Sequence, residues 1–362
     1  MRLRIHDARW PVMIVVVAVA MAAVACGGGS GGATTTADTA VDPLTVTVPP
    51  STVDANLPVE PGIFRVVGRP SMTLGLLRVA GMHGLLGQQG LSTRITEVPT
   101  ASDVSSELLD GTVDAAIVAS DEAVRLDSSG LPLRTVMLLT AGTSNYQILA
   151  RADVTDVPGL AGADVAVSPG SEGELLVQGA LVADQVPSSK VRVVPASSTD
   201  PGLMLVRGEV AAAAVTATQA EVALAADPTL HVLYTAGDYP GLVSQVLVVR
   251  QDVADQRPGQ ILAFVRSWQA LYGFNRDQQD IVIADVAKVT DTDPAIAAVN
   301  LAGLSLYDVA ANAVELLPGG EYFDQTIGVI VVAAQAAGWI TEPIDGQQLI
   351  DGSFVQAVAS AR

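Results

Sequence analysis

The segment 169–173 (Pro-Gly-Ser-Glu-Gly) has the residue types and spacing of an anion-binding helix start. A helix N-terminus presents free N–H groups with a partial positive charge, and glycine allows an anion to approach the backbone closely. We therefore predict that Gly170 and Ser171 contact a ligand. The alternative is that Ser171 only caps its own helix. Glu172 favours this alternative, because a carboxylate in the first turn already interacts with the helix dipole.

Polar residues at the ends of other predicted strands give further candidates, because ligands of open α/β sheets bind beyond the carboxyl ends of the strands. Arg69 could pair with an anion or be a surface arginine, and Asp121 could receive an amine or cap a helix. Residues 143–146 could donate to a ligand, although turn chemistry explains their Ser and Asn equally well. The predicted ligand-binding residues are Arg69, Ser71, Met72, Ser120, Asp121, Thr143, Ser144, Asn145, Tyr146, Gly170, Ser171, Thr216, Thr218, Asp238 and Tyr239.

Residues that could perform covalent catalysis are scarce. Of the three histidines, His6 lies in the N-terminal segment, His83 in a predicted helix and His231 at the start of an apolar strand. The sequence has no Ser-x-x-Lys, His-Glu-x-x-His or Walker motif. One cysteine and so few histidines also disfavour a zinc or manganese site. We therefore predict that the protein is not an enzyme and has no catalytic residue, cofactor or metal ion.

The composition excludes several classes of protein. The chain has 362 residues, of which 49% are hydrophobic and 16% are charged, and this balance excludes a disordered protein. The formal net charge of -19 argues against a nucleic-acid partner, because such a partner requires a basic face. The length allows about two domains.

The single cysteine, Cys26, ends an N-terminal targeting segment. Three arginines precede the apolar stretch 10–25, which is shorter than the roughly 20 residues of a membrane span and suits a signal peptide. Residues 23–26 (Ala-Val-Ala-Cys) resemble a bacterial lipobox, which implies removal of residues 1–25 and a lipid on Cys26. A plain signal peptide and an uncleaved anchor are the alternatives. Residues 26–61, rich in Gly, Ser, Thr and Pro, predict a flexible linker.

Strand-like and helix-like segments alternate from Gly62 onward, which predicts an α/β protein with mainly parallel sheets covered on both faces. The sequence after Arg250 is almost entirely helical in pattern. The predicted strands are 63–68, 93–98, 113–119, 133–140, 163–168, 191–195, 210–215, 230–234 and 245–250. The predicted helices before Arg250 are 73–86, 101–110, 121–128, 172–184 and 200–207.

An internal similarity predicts two lobes. Residues 103–111 and 200–208 each begin with an acidic residue that would cap a helix, end at glycine, and precede a strand of small buried residues. The extended segments 146–151 and 244–250 would connect the two lobes, with a ligand cleft between them. The predicted boundaries are 62–142 plus 247–362 for lobe I and 143–246 for lobe II.

This organisation resembles the type II periplasmic binding proteins of ABC importers. Within them it is most similar to the branch that binds nitrate, alkanesulfonates, taurine or thiamine-pyrimidine precursors. The resemblance covers about 62–362 and includes the segments 108–116 (Leu-Leu-Asp-Gly-Thr-Val-Asp-Ala-Ala), 157–167 and 338–355. One departure is the segment 216–219 (Thr-Ala-Thr-Gln), where many members have an aromatic, an acidic residue and a proline. The chemistry of the ligand therefore stays open.

The resemblance implies a doubly wound fold with two lobes, two crossover strands and a helical C-terminal part. It implies a monomeric, lipid-anchored receptor, on the outer face of the membrane or in the periplasm. Such a receptor binds a small polar or anionic solute between its lobes and delivers it to an ABC permease. Two alternatives are an enzyme on the same fold that acts on a cofactor precursor, and a ligand sensor that signals to a membrane kinase.

Overall fold

A computed structural model gives the structure of residues 52–196 and 200–361. The predicted signal peptide, the predicted lipid site Cys26 and most of the predicted linker lie outside these residues. Within the described ranges, no helix is both long enough and apolar enough to cross a membrane.

The described part of the chain contains eleven strands, and most of them coincide with predicted strands to within two residues at each end. Their bounds are β1 (Ile63–Gly68), β2 (Ser92–Glu97), β3 (Ala115–Ala119), β4 (Leu133–Gly142), β5 (Tyr146–Ala150), β6 (Asp164–Val167), β7 (Arg192–Pro195), β8 (Ala212–Thr216), β9 (His231–Thr235), β10 (Ser244–Arg250) and β11 (Leu304–Leu306). They form a six-stranded sheet of order β11-β4-β10-β3-β1-β2 and a five-stranded sheet of order β7-β6-β8-β5-β9.

The described ranges also contain fourteen α-helices. Their bounds are α1 (Met72–Met82), α2 (Leu85–Gln88), α3 (Ala101–Leu109), α4 (Ser120–Ser128), α5 (Glu172–Ala183), α6 (Pro201–Val206), α7 (Ala217–Ala226), α8 (Gln251–Gln256), α9 (Pro258–Asp277), α10 (Gln279–Val289), α11 (Pro294–Ala302), α12 (Val309–Glu315), α13 (Ile327–Ala336) and α14 (Ser353–Ser360). Short 3-10 helices occupy Pro158–Leu160, Ser188–Lys190, Ala236–Asp238 and Gly346–Leu349, and a π-helix occupies Tyr322–Thr326.

The two sheets define two lobes, so the predicted fold class is confirmed. Lobe I contains the six-stranded sheet, and lobe II contains the five-stranded sheet with helices α5, α6 and α7, which pack on its strands. Strand β3 is buried along its whole length. Its Ala and Val side chains suit a strand that is covered on both faces. The residue boundaries of the lobes stay a prediction.

In each lobe, the strand that follows a crossover runs antiparallel to both of its neighbours. Strand β5, reached after residues 143–145, pairs antiparallel with β8 and β9 in lobe II. Strand β10, reached after residues 236–243, pairs antiparallel with β3 and β4 in lobe I. These are the two crossover strands that the sequence predicts, and the whole of β10 belongs to the sheet of lobe I. The sheets are therefore mixed where the chain changes lobe and parallel elsewhere, apart from the short edge strand β11.

The two similar sequence units form equivalent helix–strand segments, with one difference at the helix start. Asp200 caps α6 as predicted, but the cap of α3 is Thr100. Asp103 lies one turn into α3, and its carboxylate accepts a hydrogen bond from the Thr100 N–H at 3.1 Å. Gly111 and Gly208 both have positive φ values, +67° and +71°, because a left-handed residue ends each helix.

Residues 52–60, the last part of the predicted linker, contact helix α9. The Glu60 carboxylate accepts hydrogen bonds from the N–H groups of Gly259 at 3.1 Å and Gln260 at 2.9 Å. The side-chain amide of Gln260 donates to the Glu60 carbonyl at 3.0 Å. A carboxylate at this place satisfies N–H groups that have no partner within the helix. This part of the segment is therefore attached to lobe I.

The C-terminal part is helical, as predicted, with two features that the sequence pattern did not predict. Strand β11 extends the edge of the first sheet beside β4. Helix α13 contacts both α4 of lobe I and α5 of lobe II. The C-terminal part therefore contacts both lobes.

Candidate functional site

A cavity of about 280 Å³ lies at the carboxyl ends of strands β1, β3, β6 and β8. Both lobes contribute to its wall, as do the first residues of both crossover strands. The lining residues are Arg69, Pro70, Ser71, Met72, Thr73, Ile117, Val118, Ala119, Glu122, Asn145, Tyr146, Glu172, Thr216, Gln245, Asn300 and Leu304. This position agrees with the rule that ligands of open α/β sheets bind beyond the strand ends.

The structure brings together six of the predicted ligand-binding residues at this cavity. They are Arg69, Ser71, Met72, Asn145, Tyr146 and Thr216. Ser71 also caps α1 through a hydrogen bond from the Leu74 N–H at 3.1 Å, and Thr216 caps α7. Two of the six therefore stabilise a helix start as well as line the cavity.

Four predicted residues next to the cavity have structural partners instead. Ser120 is buried, and its hydroxyl contacts the hydroxyl of Ser244. Asp121 is buried and pairs with Arg125, with 2.6 Å between carboxylate and guanidinium. The Gly170 N–H donates to the Glu174 carboxylate at 2.7 Å, and Ser171 caps α5. The contacts of Ser171 are therefore those of a helix cap, which is the alternative given above. The N–H groups of Gly170 and Glu174 are already bonded to side chains of the same helix start.

The other five predicted residues lie in turns or on the surface. The Asp238 carboxylate accepts hydrogen bonds from the N–H and hydroxyl of Thr235 at 2.7 and 2.8 Å, within a capped 3-10 turn. Thr218 and Ser144 are exposed. The backbone of Thr143 is bonded to Gly303 and Gly237, and Tyr239 is half-buried near Thr326. None of these five lines the cavity that the described residues form.

An ion pair lies in the part of the wall that lobe I contributes. The Arg69 guanidinium donates to Oε2 of Glu122 at 2.9 Å. Glu122 is only 3% exposed, and its second oxygen, Oε1, is buried without a hydrogen-bond partner in the described residues. Burial lowers the pKa of Arg69, but the nearby carboxylates of Glu122, Glu172 and Asp121 raise it above its ordinary value. The guanidinium is therefore fixed in its charged form by these carboxylates.

A second buried carboxylate lies behind this pair. Burial raises the pKa of Asp121 to about 7, and Glu172 and Glu122 add to the effect, whereas Arg125 opposes it. Arg125 also lies over the ring of Trp339, 4.8 Å from its centroid. Oδ1 of Asp121 is buried and accepts no hydrogen bond from the described residues. Asp121 thus titrates near neutral pH beside the cavity.

Neutral donors form the wall around Glu172. Its carboxylate accepts a hydrogen bond from the Tyr146 hydroxyl at 3.2 Å and one from the side-chain amide of Gln245 at 3.3 Å. Burial and the negative charge of Glu172 raise the pKa of Tyr146 well above its ordinary value, so the phenol keeps its proton. Because Glu172 begins α5 and Gln245 belongs to β10, the bond from Gln245 connects lobe I to lobe II, whereas Tyr146 and Glu172 both belong to lobe II.

Sequence reasoning missed several polar residues that line the cavity, among them Glu122, Glu172, Gln245 and Asn300. Glu122 is adjacent to the predicted Asp121, but a helix rotates successive side chains by about 100°, so only one of the two lines the wall. Glu172 lies in the predicted segment, where its position in the first turn indicated an interaction with the helix dipole instead of with a ligand. The sequence contained no signal for Asn300, which enters the wall from α11 of the C-terminal part.

This arrangement can bind a small polar solute. Its lining combines an ion pair, a carboxylate held by neutral donors, an amide and hydroxyl groups with apolar strand ends. Small-molecule sites typically have such a mixture of apolar wall and a few convergent polar groups. Among residues 52–196 and 200–361, no group of three or more His, Cys, Asp or Glu side chains is arranged to hold a metal ion.

Comparisons with known proteins agree with the two-lobed α/β fold. The chain matches the family described as NMT1/THI5 like over residues 74–280, more than half of its length. No curated protein sequence matches it significantly.

Solved structures of sulfonate-binding proteins share the fold. The periplasmic aliphatic sulphonate binding protein SsuA from Escherichia coli superposes with a TM-score of 0.64 at 17% identity, covering 82% of this chain and 99% of that one. The putative periplasmic sulfonate-binding protein SsuA from Methylobacillus flagellatus KT gives 0.64 at 16% identity, with 83% and 94% covered. The alkanesulfonate-binding protein SsuA from Xanthomonas axonopodis pv. citri, solved with bound MOPS, gives 0.57 at 17% identity, with 81% and 99% covered.

These comparisons confirm the resemblance that the sequence motifs indicate. The matched residues 74–280 include the ends of strands β3, β6 and β8 and both crossover strands, and therefore most of the cavity wall. The chain belongs to the NMT1/THI5-like family and has the two-lobed fold of a type II periplasmic binding protein.

Proposed function

We propose that this protein is the extracytoplasmic solute-binding receptor of an ABC importer, anchored to the membrane by a lipid on Cys26. The observation that supports this proposal is the cavity at the two crossovers, whose polar wall comes from both lobes. The receptor binds a small polar solute there as a monomer and presents it to a permease in the membrane. No covalent step is needed for this function.

Binding and lobe closure are coupled through the residues that start the crossover strands. Tyr146 is the first residue of β5, Gln245 is the second residue of β10, and both donate hydrogen bonds to Glu172. A solute that contacts the wall of lobe I and Glu172 on lobe II at the same time binds the closed arrangement better than an open one. This difference in affinity is what drives hinge closure.

Ligand screening with scattering tests the receptor function. A thermal-shift screen of a broad solute library should identify a stabilising compound, because a ligand that binds only the folded state raises the melting temperature. Small-angle X-ray scattering should then show a smaller radius of gyration with that compound than without it. A library without any stabilising compound, or a bound state with an unchanged profile, would contradict the proposal.

A single substitution tests the lipid anchor. Full-length Cys26→Ser, expressed in a bacterium that processes lipoproteins, should move from the membrane fraction to the soluble extracytoplasmic fraction. Mass spectrometry of the wild-type protein should show a diacylglyceryl mass on its first residue, because a stable anchor needs more than one acyl chain. Continued membrane attachment of the variant would exclude the anchor without affecting the proposed binding function.

A further inference from the structure

The charged residues in the cavity wall do not balance. Of the described residues that line the cavity, Arg69 is positive, and Glu122 and Glu172 are negative. The positive charge is already engaged, because Arg69 donates to Glu122 at 2.9 Å. Glu172 has hydrogen bonds only from the neutral Tyr146 and Gln245 among the described residues, so its charge is not neutralised by a contact.

The unsatisfied hydrogen-bonding groups of the wall are acceptors. Oε1 of Glu122 and Oδ1 of Asn145 are both buried without a hydrogen-bond partner in the described ranges, and both residues line the cavity. Glu122 is 97% buried, and neither of these oxygens is exposed to the cavity, so both add to the negative potential of the wall without being contact points for a solute. The wall therefore has uncompensated negative potential, which favours a positively charged group over a negatively charged one.

An anion would find the donors of the neighbouring helix start already used. The Gly170 N–H donates to the Glu174 carboxylate at 2.7 Å, and the Glu174 N–H donates to the Ser171 hydroxyl at 3.3 Å. An anionic group at this end of the cavity would also lie beside the carboxylate of Glu172, which repels it. The site therefore disfavours the anionic solute that the sequence pattern suggested.

We infer that the solute presents a protonated amine, amidine or guanidine group to the carboxylate of Glu172. This inference rests on the proposed receptor function. An ammonium, amidinium or guanidinium group supplies several N–H donors and one positive charge, which complements the carboxylate of Glu172. Tyr146 and Gln245 hold the Glu172 carboxylate in place for this contact.

Matched compounds test the charge class of the solute. Each set keeps the carbon skeleton and changes one end group: ethanolamine, ethylene glycol and isethionate form one set, and benzylamine, benzyl alcohol and phenylmethanesulfonate form another. Thermal-shift titration of the full chain should show stabilisation by cationic members and none by their anionic counterparts. The same screen includes Zn²⁺ and Ca²⁺ to separate an organic cation from a metal ion.

Two glutamates in the first turn of α5 provide the variant and its control. Glu172→Gln should weaken binding of the stabilising cation at least about tenfold, because a hydrogen bond to a charged group is lost. Glu174→Gln, which lies outside the cavity wall, should change the affinity less than twofold. Melting temperatures without ligand show whether each variant is folded.

Three outcomes would overturn the inference. Stabilisation by anionic or neutral members alone would do so while leaving the receptor function intact. Stabilisation by Zn²⁺ or Ca²⁺ alone would also do so, as would equal affinity of the Glu172→Gln variant for the organic cation. The absence of any stabilising compound from the screen and from the broad library would contradict the receptor function itself.

Discussion

The starts of helices α4 and α5 each contain two carboxylates, and in each helix one of them lines the cavity. In α4 these are Asp121 and Glu122, and Glu122 is the lining residue. In α5 they are Glu172 and Glu174, and Glu172 is the lining residue. The two helix starts therefore share a pattern. One carboxylate lines the cavity, and the other contacts a group in or next to its own helix.

The partners of these carboxylates differ. Both carboxylates of α4 contact a guanidinium, Glu122 that of Arg69 and Asp121 that of Arg125. Among the described residues, both carboxylates of α5 accept hydrogen bonds from neutral groups only. The α4 start is therefore neutralised within the protein and contributes mainly to stability. The α5 start retains negative charge, and this charge is available to a ligand.

The largest expected effect is the loss of the buried guanidinium partner in α4. Arg125→Ala removes the partner of Asp121, which is 1% exposed, and should lower the free energy of unfolding by about 2–4 kcal/mol at pH 8. The loss should be smaller at pH 5.5, because Asp121, with a pKa of about 7, is then protonated. Urea denaturation at both pH values measures this. Arg192→Ala, which removes an exposed ion pair, is the control and should leave the free energy of unfolding nearly unchanged at both pH values. Similar losses of unfolding free energy at both pH values would show that the effect does not depend on the charge of Asp121, which would contradict this prediction.

Removal of the positive charge from the cavity wall should strengthen cation binding. Arg69→Met leaves Glu122 and Glu172 without an opposing charge in the wall, so a cation without an anionic group should bind on the order of tenfold more tightly. Isothermal titration calorimetry measures the change. Arg94→Met, a substitution of an exposed arginine on β2, should leave the affinity unchanged. Weaker binding to the Arg69 variant would mean that Arg69 contacts an anionic part of the solute.

The affinity for a cation should also depend on pH near neutrality. Asp121 loses its proton as the pH rises through about 7, which adds negative charge next to Glu122 and Glu172. The affinity for a cation that does not titrate in this range should therefore increase between pH 6 and pH 8, by less than about fivefold. Asp121→Asn has no proton to lose and should show a flat profile. An affinity that decreases with pH would contradict the sign of this effect.

The smallest expected effect concerns the second carboxylate of α5. Glu174→Gln weakens one hydrogen bond from the Gly170 N–H, so the free energy of unfolding should fall by below about 1 kcal/mol. Burial raises the pKa of Glu174, while the Gly170 N–H and the charge of Arg125 oppose this shift. Urea denaturation of the Glu174→Gln and Arg125→Ala variants side by side measures the difference between their free energies of unfolding. A larger loss for the Glu174 variant than for the Arg125 variant would reverse the comparison.

The helices and strands were predictable where the hydrophobic pattern is strong. Strand β3 was recognised because small and β-branched residues form a continuous apolar run between turn signals. Helix α7 was missed because its Ala-rich sequence has little helical periodicity. Its start nevertheless contains a local signal, the capping box formed by Thr216 and Gln219. The antiparallel pairing of the crossover strands depends on long-range contacts, which the local pattern does not contain.

The candidate site was predictable only as a set of strand ends. The rule for α/β sheets selected Arg69 and Tyr146, which line the cavity, but it equally selected Asp238 and Thr218, which do not. It identifies where each strand ends, and it does not tell which of these ends face the same cavity. The contribution of Asn300 required knowledge of how α11 packs against the lobes.

The sequence by itself determined the alternation of strands and helices, the two-lobed fold and the polar strand ends, because each depends on neighbouring residues. The tertiary structure decided which charges are neutralised. Arg69 meets Glu122 across 53 residues, and Gln245 meets Glu172 across 73, and neither contact follows from local spacing. Charge compensation depends on distances of a few ångströms between remote segments, and only the packing of the two lobes sets those distances.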